Sequence, residues 1–214
     1  MLIQCQERRC TSESSRCVDI VLVHHATCAH LDSVLLGRTL DEPLDLRGEG
    51  QARALAAGLL SVRDLTIESS PRRRTRHTAG IIAAMHDTVV RIAAQMDDID
   101  FGSWSGRSFE ALAADPHWMR WNQYRAVTRT PAGDSILQVQ QRAMTHFRKL
   151  QQTVGNGTVA IVTHTEVIRA VVLLALQLPI EDYRRVDISA ASLTTLSVDG
   201  TLLRLETVNQ RAAA

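Results

Sequence analysis

The chain has almost no charge to spare on either side: 24 Lys and Arg against 23 Asp and Glu leave a formal net charge of +1. That balance gives no general reason to expect nucleic acid or an anionic membrane as a partner. No apolar run approaches the roughly 18 residues that span a bilayer. The N-terminus, M-L-I-Q-C-Q-E-R-R-C-T-S-E-S-S-R-C, lacks the apolar core of a secretory signal. Cysteine is scarce: Cys5, Cys10 and Cys17 crowd that polar stretch, Cys28 stands apart, and the gaps fit no zinc pattern. This usage favours free thiols in a reducing cytoplasm over a disulfide framework. Repeats and low-complexity tracts are absent. Aromatic residues make up 4% of the chain, and Trp118, Trp121 and Tyr124 gather in one place, as a cover for a site or the core of a subdomain.

The hydrophobic fraction of 45% and charged fraction of 22% are ordinary for a globular chain, and 214 residues suffice for one domain with a sizeable core. Residues 1–17 read as a disordered polar leader and residues 18–214 as a single domain. Residues 19–23, D-I-V-L-V, form the apolar, β-branched run of a buried parallel strand, and His24 and His25 stand where it ends. Residues 158–163, T-V-A-I-V-T, end the same way at His164. Residues 65–69 and 89–92 read as two more strands. From Glu49 the pattern puts Ala52, Leu55, Ala56, Leu59 and Leu60 on one helical face.

Residues 73–85 form a helix with Ala79, Ile82 and Ala83 inward, and a short helical stretch covers 109–114. Residues 135–152 form a long amphipathic helix with Leu137, Ala143, Phe147 and Leu150 as core contacts. Residues 167–178 form a helix buried on most sides. Residues 192–197 and 202–206 flank Asp199-Gly200, the dipeptide of a tight hairpin. This alternation predicts an α/β fold, a three-layer sandwich with a mostly parallel central sheet flanked by helices and a C-terminal hairpin at its edge. The strands that lead to His25 and His164 should be central.

Ligands of such sheets sit at the carboxyl ends of the strands, so the two histidine-ended strands predict a site with facing imidazoles. His77, His86, His117 and His146 have no such placement and read as structural or exposed. Residues 69–79, S-S-P-R-R-R-T-R-H-T-A, also follow a strand and open a helix. Guanidinium groups at a helix N-terminus suit a phosphate, which they hold at two points. The four arginines there cannot all point one way.

Taken in order, these motifs resemble those of the histidine phosphatase superfamily, the phosphoglycerate-mutase-like enzymes. Leu22-Val23-His24-His25-Ala26 matches the opening Leu-Val-Arg-His-Gly. Asp41-Glu42-Pro43-Leu44, Gly48, Gln51 and Ala52 follow, then Ser70-Pro71 with Arg74 and Thr78-Ala79. Asp98 precedes Phe101-Gly102-Ser103-Trp104-Ser105-Gly106; Gly133-Asp134-Ser135 comes next with Arg142, and Val162-Thr163-His164-Thr165 closes the series. The Phe-Gly-x-Trp-x-Gly segment looks most like the small phosphatase branch that contains α-ribazole phosphatases.

The resemblance implies a cofactor-independent phosphatase that needs no metal and hydrolyses a small phosphomonoester. His25 would form a phosphohistidine, Arg74 and His164 would hold the equatorial oxygens, and Asp98 would protonate the leaving group. His24, Arg38 and Thr165 would be further substrate contacts. Residues 104–130 would decide the substrate, with Trp118, Trp121 and Arg125 as candidate lid residues. The partner so implied is a small phosphorylated metabolite, with no nucleic acid and no membrane, in the cytoplasm; oligomeric state is left open.

Departures from the family pattern lie in the phosphate cradle. His24 stands where the family has arginine, Leu31 where it has asparagine, and Ala26 and Thr165 where it has glycine. His24 is expected to carry a partial charge near neutral pH, with Arg38 or Arg72 supplying the missing fixed charge. Two other uses of the same residues stay open. The His25–His164 pair could serve a non-phosphate hydrolysis or elimination, or the chain could be a pseudophosphatase that binds a ligand or a protein.

Overall fold

The computed structural model describes residues 17–211. The rest of the polar leader, residues 1–16, lies outside them, while Cys17, read as its last residue, opens the first strand. The strands are β1 (Cys17–His24), β2 (Leu65–Ser69), β3 (Val90–Ile92), β4 (Thr158–Thr163), β5 (Ser192–Asp199) and β6 (Leu202–Arg211). They form one sheet in the order β3-β2-β4-β1-β5-β6. The first four are parallel; β5 runs antiparallel to β1 and β6 antiparallel to β5, which is the expected edge hairpin.

Side chains alternate across β1 and β4, and both faces are covered. Ile20 and Leu22 join Val159 and Ile161 on the side packed by α5 (Ile136–Thr153) and α6 (Thr165–Ala175). Val21 and Val23 join Ala160, Val162 and Ile67 on the side packed by α1 (Leu46–Leu59) and α2 (Arg73–Met85). Burial on both faces is why these strands read as unbroken apolar runs. Short helices α3 (Phe109–Ala113) and α4 (Pro116–Gln123) belong to the excursion between β3 and α5.

Local signals fix the helix starts. Ser135 and Gln138 form a reciprocal capping box on α5, and Asp115 caps α4 just ahead of Pro116. Arg72 offers α2 no side-chain cap; the Asp41 carboxylate accepts from the Arg73 backbone N–H instead. That contact ties the Asp-x-Pro segment to the arginine-bearing helix.

Several details differ from the sequence expectation. Leu60 lies past the end of α1 and is 54% exposed, and Leu137 is 46% exposed. The buried seam of α5 runs instead through Ile136, Gln140, Ala143 and Phe147, which leaves Leu137 about a quarter-turn off it. The last apolar helix begins at Thr165 and ends at Ala175, with Leu174 and Leu176 partly in water. Trp104 and Trp121 are core residues, Trp118 stacks on Trp121 at 5.3 Å between ring centres, and Tyr124 is exposed. Among the described residues no helix is long and apolar enough to cross a membrane.

Candidate active site

Because β2, β4 and β1 are neighbours, the segments that follow them meet at one edge of the sheet. β1 delivers His24 and His25, β4 delivers His164, and β2 leads into Ser70 and the arginines of α2. The loop after β3 adds Asp97 and Asp98. His25, His164 and Arg74 are each at most 2% exposed.

Hydrogen bonds assign the tautomers. His25 Nδ1 lies 2.9 Å from the Ala26 carbonyl, which keeps the proton on Nδ1, and Nε2 accepts from Arg74 Nε at 3.2 Å. His164 Nδ1 accepts from Arg74 Nη2 at 3.1 Å, so its Nε2–H donates to Ser70 Oγ at 2.7 Å, and Ser70 in turn donates to Asp97. The two imidazoles stand 5.4 Å apart, edge to face. Arg74 also donates to the carbonyls of Leu40 and Gly37 and to Asp98 Oδ2 at 3.1 Å. Gly37 turns its carbonyl to the guanidinium at φ +54, where a side chain would also strike Ser105.

Burial sets the charges. It holds His25 and His164 well below the ordinary imidazole value; His24 and Arg74 depress His25 further, and Arg74 is the next cause for His164. Both rings are neutral at pH 7, with a lone pair available on His25 Nε2. Burial also pushes Asp98 up to about 6, although Arg74 pulls the other way. A carboxyl group so placed holds a proton under mildly acidic conditions and can give it to a leaving oxygen. The arrangement thus combines a neutral imidazole, a fixed guanidinium and a carboxyl group that burial makes easier to protonate. No group of His, Cys, Asp and Glu among the described residues is arranged to hold a metal ion.

His24 differs from expectation. Burial lowers it to about 4, so it is uncharged at neutral pH rather than partly charged. Its Nδ1–H donates to the Ser189 carbonyl at 2.9 Å, and its Nε2 accepts from Thr165 Oγ1 at 2.9 Å. Two of the departures from the family pattern are therefore bonded to each other. Ala26 is fully buried, with its N–H on Thr78 Oγ1.

Arg38 and Arg72 do not supply the missing charge. Arg38 donates to Asp134 Oδ2 and to the Asp98 carbonyl, both at 2.8 Å, with Asp97 and Asp100 within 4 Å. Arg72 grips Asp97 with two hydrogen bonds of 3.0 Å. Carboxylates at 97, 100 and 134 converge only in the fold, and they draw both guanidiniums away from the cavity, which neither lines. Arg73 and Arg76 are solvated.

Above His25 lies a cavity of about 270 Å³. His25, His164, Arg74 and Asp98 line it together with two chemically distinct sets of side chains. Leu31, Val34, Phe101, Phe109 and Trp118 are apolar, and Thr165, Arg125, Glu166 and Arg169 are polar. Arg125 is 3% exposed, sandwiched between the rings of Trp121 and Tyr183 at 3.8 and 3.4 Å and paired with Glu166. Trp121 packs behind it in the core and does not line the cavity. Arg169 pairs with Glu166 at 3.3 Å. The sequence reading missed Glu166 and Arg169 as site residues; a helix starting directly after His164 was the available signal, since its first turns must overhang the site.

A model of the histidine phosphatase superfamily (branch 1) matches residues 20–211. Phosphoserine phosphatase 1 of Hydrogenobacter thermophilus is 30% identical over 155 residues, covering 72% of this chain and 74% of that protein. An acid phosphatase of Mycobacterium tuberculosis is 28% identical over 179 residues, 81% of this chain and 83% of its own. Among solved structures, a mycobacterial glucosyl-3-phosphoglycerate phosphatase superposes with a TM-score of 0.81 at 25% identity, covering 91% of this chain and 100% of that one.

Proposed function

The chain belongs to branch 1 of the histidine phosphatase superfamily and is a hydrolase of the phosphatase kind, and on that premise we propose that it splits a small phosphomonoester through a phosphohistidine on His25. The observation that carries this reading is the pairing of two groups in one cavity. His25 Nε2 is a neutral donor of electrons whose ring is fixed through Nδ1, and Asp98 is an acid pushed up to about 6.

In the first step the Nε2–P bond forms as the P–O bond to the leaving group breaks, and Asp98 gives its proton to the departing oxygen. In the second, water attacks phosphorus, Asp98 takes the water's proton, and the N–P bond breaks to free phosphate. Arg74 meets the charge on the equatorial oxygens by exchanging its bond to His25 Nε2 for one to the phosphoryl group. His164, with Nδ1 beside the same guanidinium, becomes a second donor when the incoming dianion favours its protonated form. Aspartate at 98 is one methylene shorter than the family's usual glutamate, and Arg74 and the Ile99 N–H hold its two oxygens.

Relatives named for phosphoserine and glucosyl-3-phosphoglycerate support a small phosphorylated metabolite as substrate. The buried free thiol of Cys28 fits a cytoplasmic setting. The test is release of phosphate from an aryl phosphate, with a loss of at least about 10³-fold on His25→Ala and an acid-labile phosphoenzyme trapped in a single turnover. Absence of turnover across a broad phosphomonoester panel, together with no phosphate or vanadate binding by calorimetry, defeats the reading.

A further inference from the structure

Beside the cavity over His25 lies a second and larger cleft of about 500 Å³. The two share His24, Leu31, Thr165 and Arg169, so they adjoin across the His24–Thr165 hydrogen bond. Three separate parts of the chain build the second cleft. Thr27 and Asp32 come from the loop after β1, Arg47 and Gln51 from α1, and Ser189 and Arg211 from the segment leading into β5 and the end of β6.

Its charge is one-sided. Arg47, Arg169 and Arg211 line it, and Asp32 is the single carboxylate among the lining residues. Arg47 makes no ion pair among the described residues. Arg211 gives one donor to Ser189 Oγ at 2.8 Å and keeps the rest of its fork free, while Arg169 is already engaged by Glu166 and the Val186 carbonyl. His24, between the two spaces, is neutral and short. Fixed positive charge is thus missing at the position before the nucleophile and present on the far side of that same residue.

We propose that this cleft is a subsite for a second oxyanion, a carboxylate or phosphate, carried by the leaving portion of the phosphomonoester cleaved over His25. The proposal rests on the phosphatase reading and adds a substrate class to it. The phosphoryl group is held by Arg74 and the histidines. The remainder of the substrate passes His24 and Thr165, and its anionic end meets the guanidiniums of Arg47 and Arg211. A phosphomonoester with an uncharged tail uses the first cavity alone.

The test compares phenyl phosphate with a series of ω-carboxyalkyl phosphates of increasing chain length, and with the matching alkanediol bisphosphates. These are assayed on wild type and on the double variant Arg47→Ala/Arg211→Ala. The expected result is a chain-length optimum in wild type. The ratio of kcat/KM for the optimal carboxylate to that for phenyl phosphate should fall about tenfold in the double variant, through KM, as two exposed charge contacts allow. Wild type should lose part of its preference in added salt. A larger fall for the bisphosphates assigns the subsite to phosphate, and an equal or smaller one to carboxylate. The ratio does not depend on how much protein is folded.

A ratio unaltered by the double substitution overturns the subsite, as does a flat chain-length series. If wild type hydrolyses neither class nor any member of a broad phosphomonoester panel, and binds neither phosphate nor vanadate, the phosphatase reading falls by itself. Calorimetry with the carboxyalkyl phosphates then judges the cleft: weaker binding in the double variant supports it, and equal binding overturns it.

Discussion

Asp98 offers the sharpest test of the chemistry, because its environment and the acid role proposed for it make a joint demand on pH and leaving group. Burial pushes the carboxyl up to about 6 from an ordinary 3.8. At pH 7 the free enzyme then holds roughly one protonated Asp98 for every ten ionised, whereas an unperturbed aspartate would hold fewer than about one in a thousand. As a general acid it must start protonated, so kcat/KM should level off below pH 6 and fall about tenfold per unit above it. His25 must start neutral, and since burial holds it well below 6.5, the acidic limb lies on the far side of that plateau. Asp98→Asn keeps the shape and removes the proton. The expected loss is about 10²–10⁴-fold for an alkyl phosphate, whose leaving oxygen needs protonation. It should be far smaller for p-nitrophenyl phosphate, whose phenolate leaves without help. Initial-rate profiles between pH 4 and 9 on both substrates decide the matter. An equal loss on both leaving groups, or a wild-type profile that stays flat through pH 6 to 8 with the alkyl phosphate, would refute Asp98 as the acid.

Arg74→Lys removes a fork that reaches His25, His164, Asp98 and two carbonyls; aryl phosphate turnover should drop about 10²–10³-fold, and thermal unfolding should show a lower Tm because buried partners lose their donor. His24→Arg with Ala26→Gly and Thr165→Gly returns three cradle positions to the family pattern without stranding either half of the His24–Thr165 pair, and the triple variant should gain at least about tenfold in aryl phosphate turnover if the wild-type pocket is short of fixed charge; an unchanged rate contradicts that. His146 is buried against Glu68 on β2. His146→Leu leaves that carboxylate without its partner and should cost about 1–3 kcal/mol in chemical denaturation while kcat stays as it was, so a neutral effect on stability would remove the pair from the core's support.

Much of the fold is readable from the chain because its strongest signals are local or periodic. Apolar runs bounded by histidines mark β1 and β4, a serine-proline step starts the segment of α2, and Asp199-Gly200 closes the hairpin. Helix α4 escapes such a reading. It is eight residues long, holds two tryptophans, and owes its start to Asp115-Pro116 rather than to an apolar stripe. Leu60 and Leu137 fail because a hydrophobic residue near a helix end can lie just off the buried face without disturbing the pattern.

The site divides in the same way. His25, Arg74, Asp98 and His164 follow strands or sit in ordered motifs, and the sheet gathers them. Arg38 and Arg72 go elsewhere, since the carboxylates that capture them are scattered over nearly forty positions and meet only after folding. The neutrality of His24 is equally invisible in one dimension, because it comes from burial and not from the neighbours in sequence.

The hydrogen bond between His24 and Thr165 has a consequence for how such chains are compared. Scored one position at a time, histidine in place of arginine before His25 and threonine in place of glycine after His164 count as two independent defects. Joined by a 2.9 Å contact, they behave as one coordinated exchange, in which the hydroxyl that replaces a hydrogen atom gives the imidazole a reason to be there. Changing either alone removes the other's polar partner, so single exchanges at 24 or 165 should each be worse than exchanging both together.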